Sequence, residues 1–186
     1  MPLPATLPLQ RERYRDPLAP PEQAAHAGRL LSLLLAQNGS TTRLCETLAG
    51  GPVALHLLHQ STTSGLVPEP VHSTLPGTRF IERITCLAAH GQVMTDNLVY
   101  VALDGLDAAL QRDLEQGTVP IGHLVAGSFV RRRFLAPTHD LQDRLWRVVG
   151  LPDTAASRAY GLATAQGLHM LIVETFRRGM LGAPQG

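Results

Sequence analysis

Three charged residues stand inside stretches that otherwise read as buried strands. HMLIVETFRRG, residues 169–179, sets Glu174 among apolar and β-branched neighbours. Strand side chains alternate between faces, so Met170, Ile172, Glu174 and Phe176 share one face and Leu171, Val173 and Thr175 the other. An unpaired carboxylate on an apolar face costs on the order of several kcal/mol unless it protonates or finds partners. RFIERITCLAA, residues 79–89, likewise places Arg83 on a face with Ile81, Thr85 and Leu87. Arg158, in SRAYGLA, lies one strand before Glu174 in a terminal hairpin. A buried guanidinium needs acceptors, and its planar fork matches a carboxylate. One reading is structural: an Arg83–Glu174 bridge, or an arginine on a solvated edge. The other is a small-molecule pocket, with Arg83 receiving a ligand carboxylate and Glu174 hydrogen-bonding another part of the ligand. Spacing leaves both open, and leaves Arg158 open between bracing and binding. On the ligand reading, Glu174→Gln is expected to lower turnover while leaving melting nearly unchanged.

Other chemistries find less support. His56 and His59 form an H-x-x-H, but strand alternation sends the two rings to opposite faces and no third metal ligand is near in sequence. QNGSTTR lacks the Gly-Lys-Ser/Thr ending of a phosphate loop, and neither GLVPEP nor AGS is a nucleophile elbow. Cys45 and Cys86 fit neither a zinc site nor a disulfide framework and read as free thiols.

The elements that must position these residues follow from pattern and punctuation. Residues 1–21, with six prolines and the cluster RERYRD, read as an extended arm. Residues 21–39 read as a helix with Pro21 in its first turn and Asn38-Gly39 at its stop. STTRLCETLAGG reads as a second helix capped by Ser40, Thr41 or Thr42 and ended by Gly50-Gly51. PVALHLLHQSTT is a strand, residues 63–78 a turn-forming stretch, and 79–89 and 93–103 a hairpin around HGQ. DGLDAALQRDLEQG is an amphipathic helix stopped at Gly117, and VPIGHLVAGS opens a short helix after Pro120. FVRRRFLA is a strand, residues 137–155 an irregular stretch, and SRAYGLATA with LHMLIVETFRRG a closing hairpin turned at Gln166-Gly167. Two hairpins make the sheet mainly antiparallel, so the class is α+β, with one domain at 22–181 and a short tail at 182–186.

The chain has 186 residues, 44% apolar and 17% charged, which suits one domain with one substantial core. A formal net charge of +1 argues against a dedicated nucleic-acid binder. Arg131-Arg132-Arg133 is the one dense basic spot; it reads as a solvated edge, with an anion site and nucleic acid as alternatives. LLSLLLA is too short to span a bilayer, and the N-terminus has no signal-peptide pattern, so a cytoplasmic protein is expected.

Four segments occur in the order found in chorismate pyruvate-lyases: NGSTTRLCETLAGGPV, FIERITCLAAHGQVMTDNLVYV, GTVPIGHLV and ASRAYGLATAQGLHMLIVETF. The chain resembles that family from about residue 25 to 178, most closely the branch typified by actinobacterial 4-hydroxybenzoate synthases. The resemblance implies an antiparallel sheet of about six strands with helices packed against it and an internal pocket under helical flaps. It implies conversion of chorismate to 4-hydroxybenzoate and pyruvate without metal or organic cofactor, in a monomer or homodimer that binds neither nucleic acid nor membrane. It implies that Arg83 holds a ligand carboxylate and Glu174 meets the ring hydroxyl, as the two catalytic residues. The backbone of Ile121, followed by Gly122, meets the ligand, and Ser40 on the opening flap touches it. Ubiquinone-pathway enzymes carry a larger apolar residue at the Ser40 position. Arg43 and Arg158 match common arginine positions and are assigned supporting roles. The rivals are a related enzyme acting on a chorismate analogue and a non-catalytic, sensor-type domain that binds a small carboxylate.

Overall fold

The computed structural model describes residues 21–136, 139–165, 167 and 169–181; the arm before Pro21 and the tail at 182–186 lie outside the described residues. Two helices come first, α1 (Pro21–Ala36) and α2 (Thr41–Ala49). Ser40 caps α2 by accepting from Arg43 N–H at 3.4 Å, and Gly50 ends it at φ 69°, a conformation glycine adopts without cost from a Cβ. Then come β1 (Ala54–Ser64), α3 (Glu69–Thr74), β2 (Arg79–Ala89) and β3 (Gln92–Ala102). The β2–β3 turn uses His90 and Gly91, both at positive φ, the backbone that matches strand twist in a tight hairpin. Next are α4 (Ala108–Gln116), α5 (Ile121–Leu124), β4 (Val130–Leu135), α6 (His139–Val149), β5 (Ser157–Thr164) and β6 (His169–Phe176).

All six strands form one sheet in the order β1-β2-β3-β6-β5-β4, every neighbouring pair antiparallel. The fold class read from the sequence therefore holds. Helices cover both faces. One face packs Phe80, Ile84, Leu98 and Val173 against α6 through Leu141, Leu145 and Val149, and against Val71 of α3. The other carries two apolar clusters. In one, Leu114 of α4 and Val125 meet Ile81, Val101 and Met170; in the other, Leu31 and Leu34 of α1 and Cys45 of α2 meet Leu87 and Phe176. Along the described residues, no helix is long and apolar enough to cross a membrane.

Three expectations are corrected. The stretch after β4 is not irregular: it holds α6, whose Leu141, Leu145 and Val149 recur every four residues and are buried. The turn-forming stretch at 63–78 contains α3, opened at Pro68 and buried through Val71. His56 and His59 do not take opposite faces. A bulge between Leu57 and His59 lets them pair with Cys86 and Ile84, which share a face of β2. The same bulge returns Gln60 to the face that carries Arg83.

Candidate active site

The sheet register sets the site. Thr85, Asn97, Glu174 and Arg158 lie opposite one another across β2, β3, β6 and β5. The adjacent row runs Gln60, Arg83, Val99, Ile172 and Tyr160. All these side chains rise from one face toward the gap between the two apolar clusters. A cavity of about 60 Å³ fills that gap. Sheet residues Arg83, Asn97, Tyr160 and Glu174 form its floor and walls, and the starts of α2 (Ser40, Thr41, Thr42) and α5 (Ile121, Gly122) form its roof.

Glu174 is 3% exposed and is reached by three protein donors. Its Oε2 accepts from Arg158 Nε and Nη2, both at 2.9 Å, and its Oε1 accepts from the Tyr160 hydroxyl at 2.7 Å. Arg158 also donates from Nη1 to the carbonyls of Leu34 at 2.8 Å and Gln37 at 2.7 Å, and from Nη2 to Thr41 Oγ1 at 3.1 Å. It thereby satisfies carbonyls left over at the end of α1, where a cation is favoured, and ties the roof to the carboxylate. Burial and the Glu174 charge push the Tyr160 phenol well above its usual range, so it stays a donor.

Arg83 is different. It is 1% exposed, and among the described residues no carboxylate lies within ion-pair distance of it. Its Nε donates to Gln60 Oε1 at 2.7 Å, Nη2 to the Leu114 carbonyl at 2.8 Å, and Nη1 to the Val119 carbonyl at 3.3 Å. That uses three of its five N–H groups and pairs the charge only with neutral oxygens, one at the end of α4. Burial lowers its pKa. The Arg83–Glu174 bridge is not formed. The two residues stand two strands and one row apart, about 12 Å between Cα atoms from ordinary strand spacings, and the hairpin partner Arg158 takes Glu174 first.

The chain between α4 and α5 wraps Arg83 closely. Gly117 has φ 70°, and a Cβ there would stand 3.0 Å from Leu57 and 3.3 Å from Arg83 Nη2. Gly122 is a second close approach: a Cβ would fall 2.9 Å from Ser40 Oγ and overlap Thr42. The two roof helices are also joined by His123 Nε2 and Glu46 Oε1 at 2.9 Å, a solvent-exposed pair.

No protein-family model and no curated protein matches the chain. Among solved structures it is similar to a GntR-family transcriptional regulator from Bacillus cereus, with 11% identity and a TM-score of 0.41 over 67% of this chain and 91% of that one. It is also similar to the ligand-binding domain of a protein named as a GntR-family transcriptional regulator from Bordetella bronchiseptica. There the identity is 8% and the TM-score 0.40, over 67% and 85% of the two chains. At these identities and TM-scores the likeness says nothing of substrate or activity, which rest on the residues of the cavity.

Of the residues singled out in the sequence, Ser40, Arg83, Ile121, Gly122 and Glu174 all line the one cavity, and Arg158 lies directly behind Glu174. Arg43 does not reach it. Its side chain is exposed on α2, and its backbone N–H, capped by Ser40, is its link to the site. Sequence reasoning missed Tyr160, Asn97, Thr85 and Gln60. Thr85 was findable by strand alternation from Arg83 and Tyr160 by alternation from Arg158, whereas Asn97 needed the β2–β3 register; Gln60 was hidden by the bulge.

Proposed function

We propose that the cavity binds a ring carboxylate and that the protein is a chorismate pyruvate-lyase. The observation that carries this reading is Arg83: a buried cation with no acid partner and two unused N–H groups, facing the cavity that also holds Glu174. A ligand carboxylate supplies the missing anion. Glu174, held by Arg158 and Tyr160, has lone pairs left to accept from a ring hydroxyl at the other end. The sequence resemblance assigns the same two residues to the same two ends.

The chemistry asks little of the side chains. The ether C–O bond to the ring breaks, and the proton on the hydroxyl-bearing ring carbon moves to the enolpyruvyl methylene. The C–H pair becomes the ring double bond that completes aromaticity, and the ether oxygen becomes the carbonyl of pyruvate. The proton travels within the substrate, so the protein contributes by holding the enolpyruvyl arm over that carbon and by stabilising charge on the departing oxygen. A benzene-sized cavity measures about 150 Å³, larger than the 60 Å³ here, so the roof must open to admit a ring. The seam between α5 and α2 is where the roof would part: the His123–Glu46 pair across it contributes no more than about 1 kcal/mol. Such gating makes product release a candidate for the slow step.

Incubating the purified protein with chorismate and separating the products by chromatography tests the proposal. Enzyme-dependent, equimolar 4-hydroxybenzoate and pyruvate are expected. Saturable binding of 4-hydroxybenzoate with chorismate left intact would replace the lyase with a sensor-type binding domain.

A further inference from the structure

The cavity wall contains a second arginine without an acid. Arg132 lies on β4 opposite Leu162, which puts it on the cavity face beside Tyr160, and it lines the cavity. Its Nη1 donates to the Asn38 carbonyl. Its Nε is shut off from solvent and donates to nothing. Among the described residues no carboxylate lies within ion-pair distance of it. The guanidinium stands 5.6 Å from the centre of the Tyr160 ring, a favourable contact that offers no acceptor for the N–H. The adjacent Arg131 and Arg133 are exposed on the opposite face, so the three arginines are not one solvated patch.

A buried donor with no acceptor calls for an explanation, and a ligand atom absent from the structure is one. Charge gives the ligand's class. The cavity lining carries Arg83, Arg132 and Glu174, and Arg158 neutralises Glu174 from behind. Two positive charges remain, entering from β2 on one side and β4 on the other. A monocarboxylate balances one of them and a dicarboxylate balances both.

We infer that Arg132 receives a second carboxylate, so that the cavity selects dicarboxylates over monocarboxylates. This rests on the proposed role of Arg83 and deepens it. In the lyase reaction the second carboxylate is that of the enolpyruvyl arm, and Arg132 would orient that arm. Once pyruvate has left, the monoanionic product no longer engages Arg132, which favours its release.

Two stable probes that differ in this one group, and carry it at the ring position of the enolpyruvyl arm, decide the matter by calorimetric titration of the full chain: 3-(carboxymethoxy)benzoate and 3-methoxybenzoate. The wild type is expected to bind the dicarboxylate at least about tenfold more tightly, the least a buried charge-assisted contact supplies. In Arg132→Gln that ratio should fall below about threefold, through loss of affinity for 3-(carboxymethoxy)benzoate. Arg83→Gln should weaken both probes. Equal affinity of the wild type for both probes overturns the assignment of Arg132 and leaves Arg83 standing, and this arm needs no variant to fold. Failure of the wild type to bind either probe overturns both assignments. An Arg132→Gln variant that is folded by its melting curve yet keeps the tenfold ratio overturns the assignment of Arg132.

Discussion

Replacing Arg158 and Arg83 in turn with methionine distinguishes a cation that braces the fold from one that waits for a ligand. Arg158 and Glu174 are 6% and 3% exposed, and the pair is doubly hydrogen-bonded. Arg158→Met leaves the carboxylate with only the Tyr160 hydroxyl and strips donors from the Leu34 and Gln37 carbonyls. Breaking one side of a buried pair costs about 3–5 kcal/mol. For a chain of this size each kcal/mol moves Tm by about 2–4 °C, so a fall of about 6–20 °C is expected. Arg83→Met forfeits three hydrogen bonds to neutral oxygens, each worth roughly 1.5–3 kcal/mol for a charged donor. It also removes an unpaired buried cation whose desolvation costs several kcal/mol in order of magnitude. The two nearly cancel, and Tm should move by less than about 4 °C. Adding 4-hydroxybenzoate should raise the Tm of the wild type by mass action and leave Arg83→Met unmoved. Paired calorimetric scans of both variants, with and without the ligand, supply the numbers. A fall for Arg83→Met as large as that for Arg158→Met would refute the argument, because Arg83 would then be a structural tie.

Glu174→Gln should lower Tm by about the same amount as Arg158→Met, because it strands Arg158; this reverses the expectation from sequence, and scanning calorimetry of the variant checks it. Gly122→Ala should cost roughly 1–3 kcal/mol by pushing Thr42 and Ser40 away. Thr42→Ala in the same chain should restore most of that, measured by urea unfolding as a double-mutant cycle. Stability should also fall as pH rises above about 9. Burial, then the charges of Glu174 and Glu46, push the Cys45 thiol up to about 12, and burial raises Tyr100 and Tyr160 as well. The folded state holds these protons after the unfolded chain has lost them, so unfolding releases protons and is favoured by alkali. From Cys45 alone the loss between pH 8 and 10.5 is on the order of 2 kcal/mol; urea midpoints that stay level over that range would contradict it.

How much of this was in the sequence can be read residue by residue. The terminal hairpin was legible because Gly167 marks the turn, but its register was not: a two-residue Gln166-Gly167 turn would set Arg158 opposite Thr175, whereas the sheet sets it opposite Glu174. Period-two alternation put Arg83 and Glu174 on inward faces, and Ser40 and Gly50 announced α2 by their capping chemistry. The missed helix α6 carries its own signal in Leu141, Leu145 and Val149; Pro137, Gly150 and Pro152 in the flanking sequence drew attention from a pattern that was present. Other features were not legible. The order β1-β2-β3-β6-β5-β4 joins β3, which ends at Ala102, to β6, which begins only at His169, and no local pattern specifies such a distant partner. The bulge at Leu58 turns Gln60 toward Arg83, and it shows only in the pairing of β1 with β2. Above all, which charge meets which was decided by the fold. Local sequence determines the face on which a side chain emerges, since alternation is a property of the strand itself. An ion pair depends on distance, and distance between strands is set only when the sheet closes. Assembly gave Glu174 to Arg158 and left Arg83 and Arg132 facing the cavity with no carboxylate paired to either among the described residues.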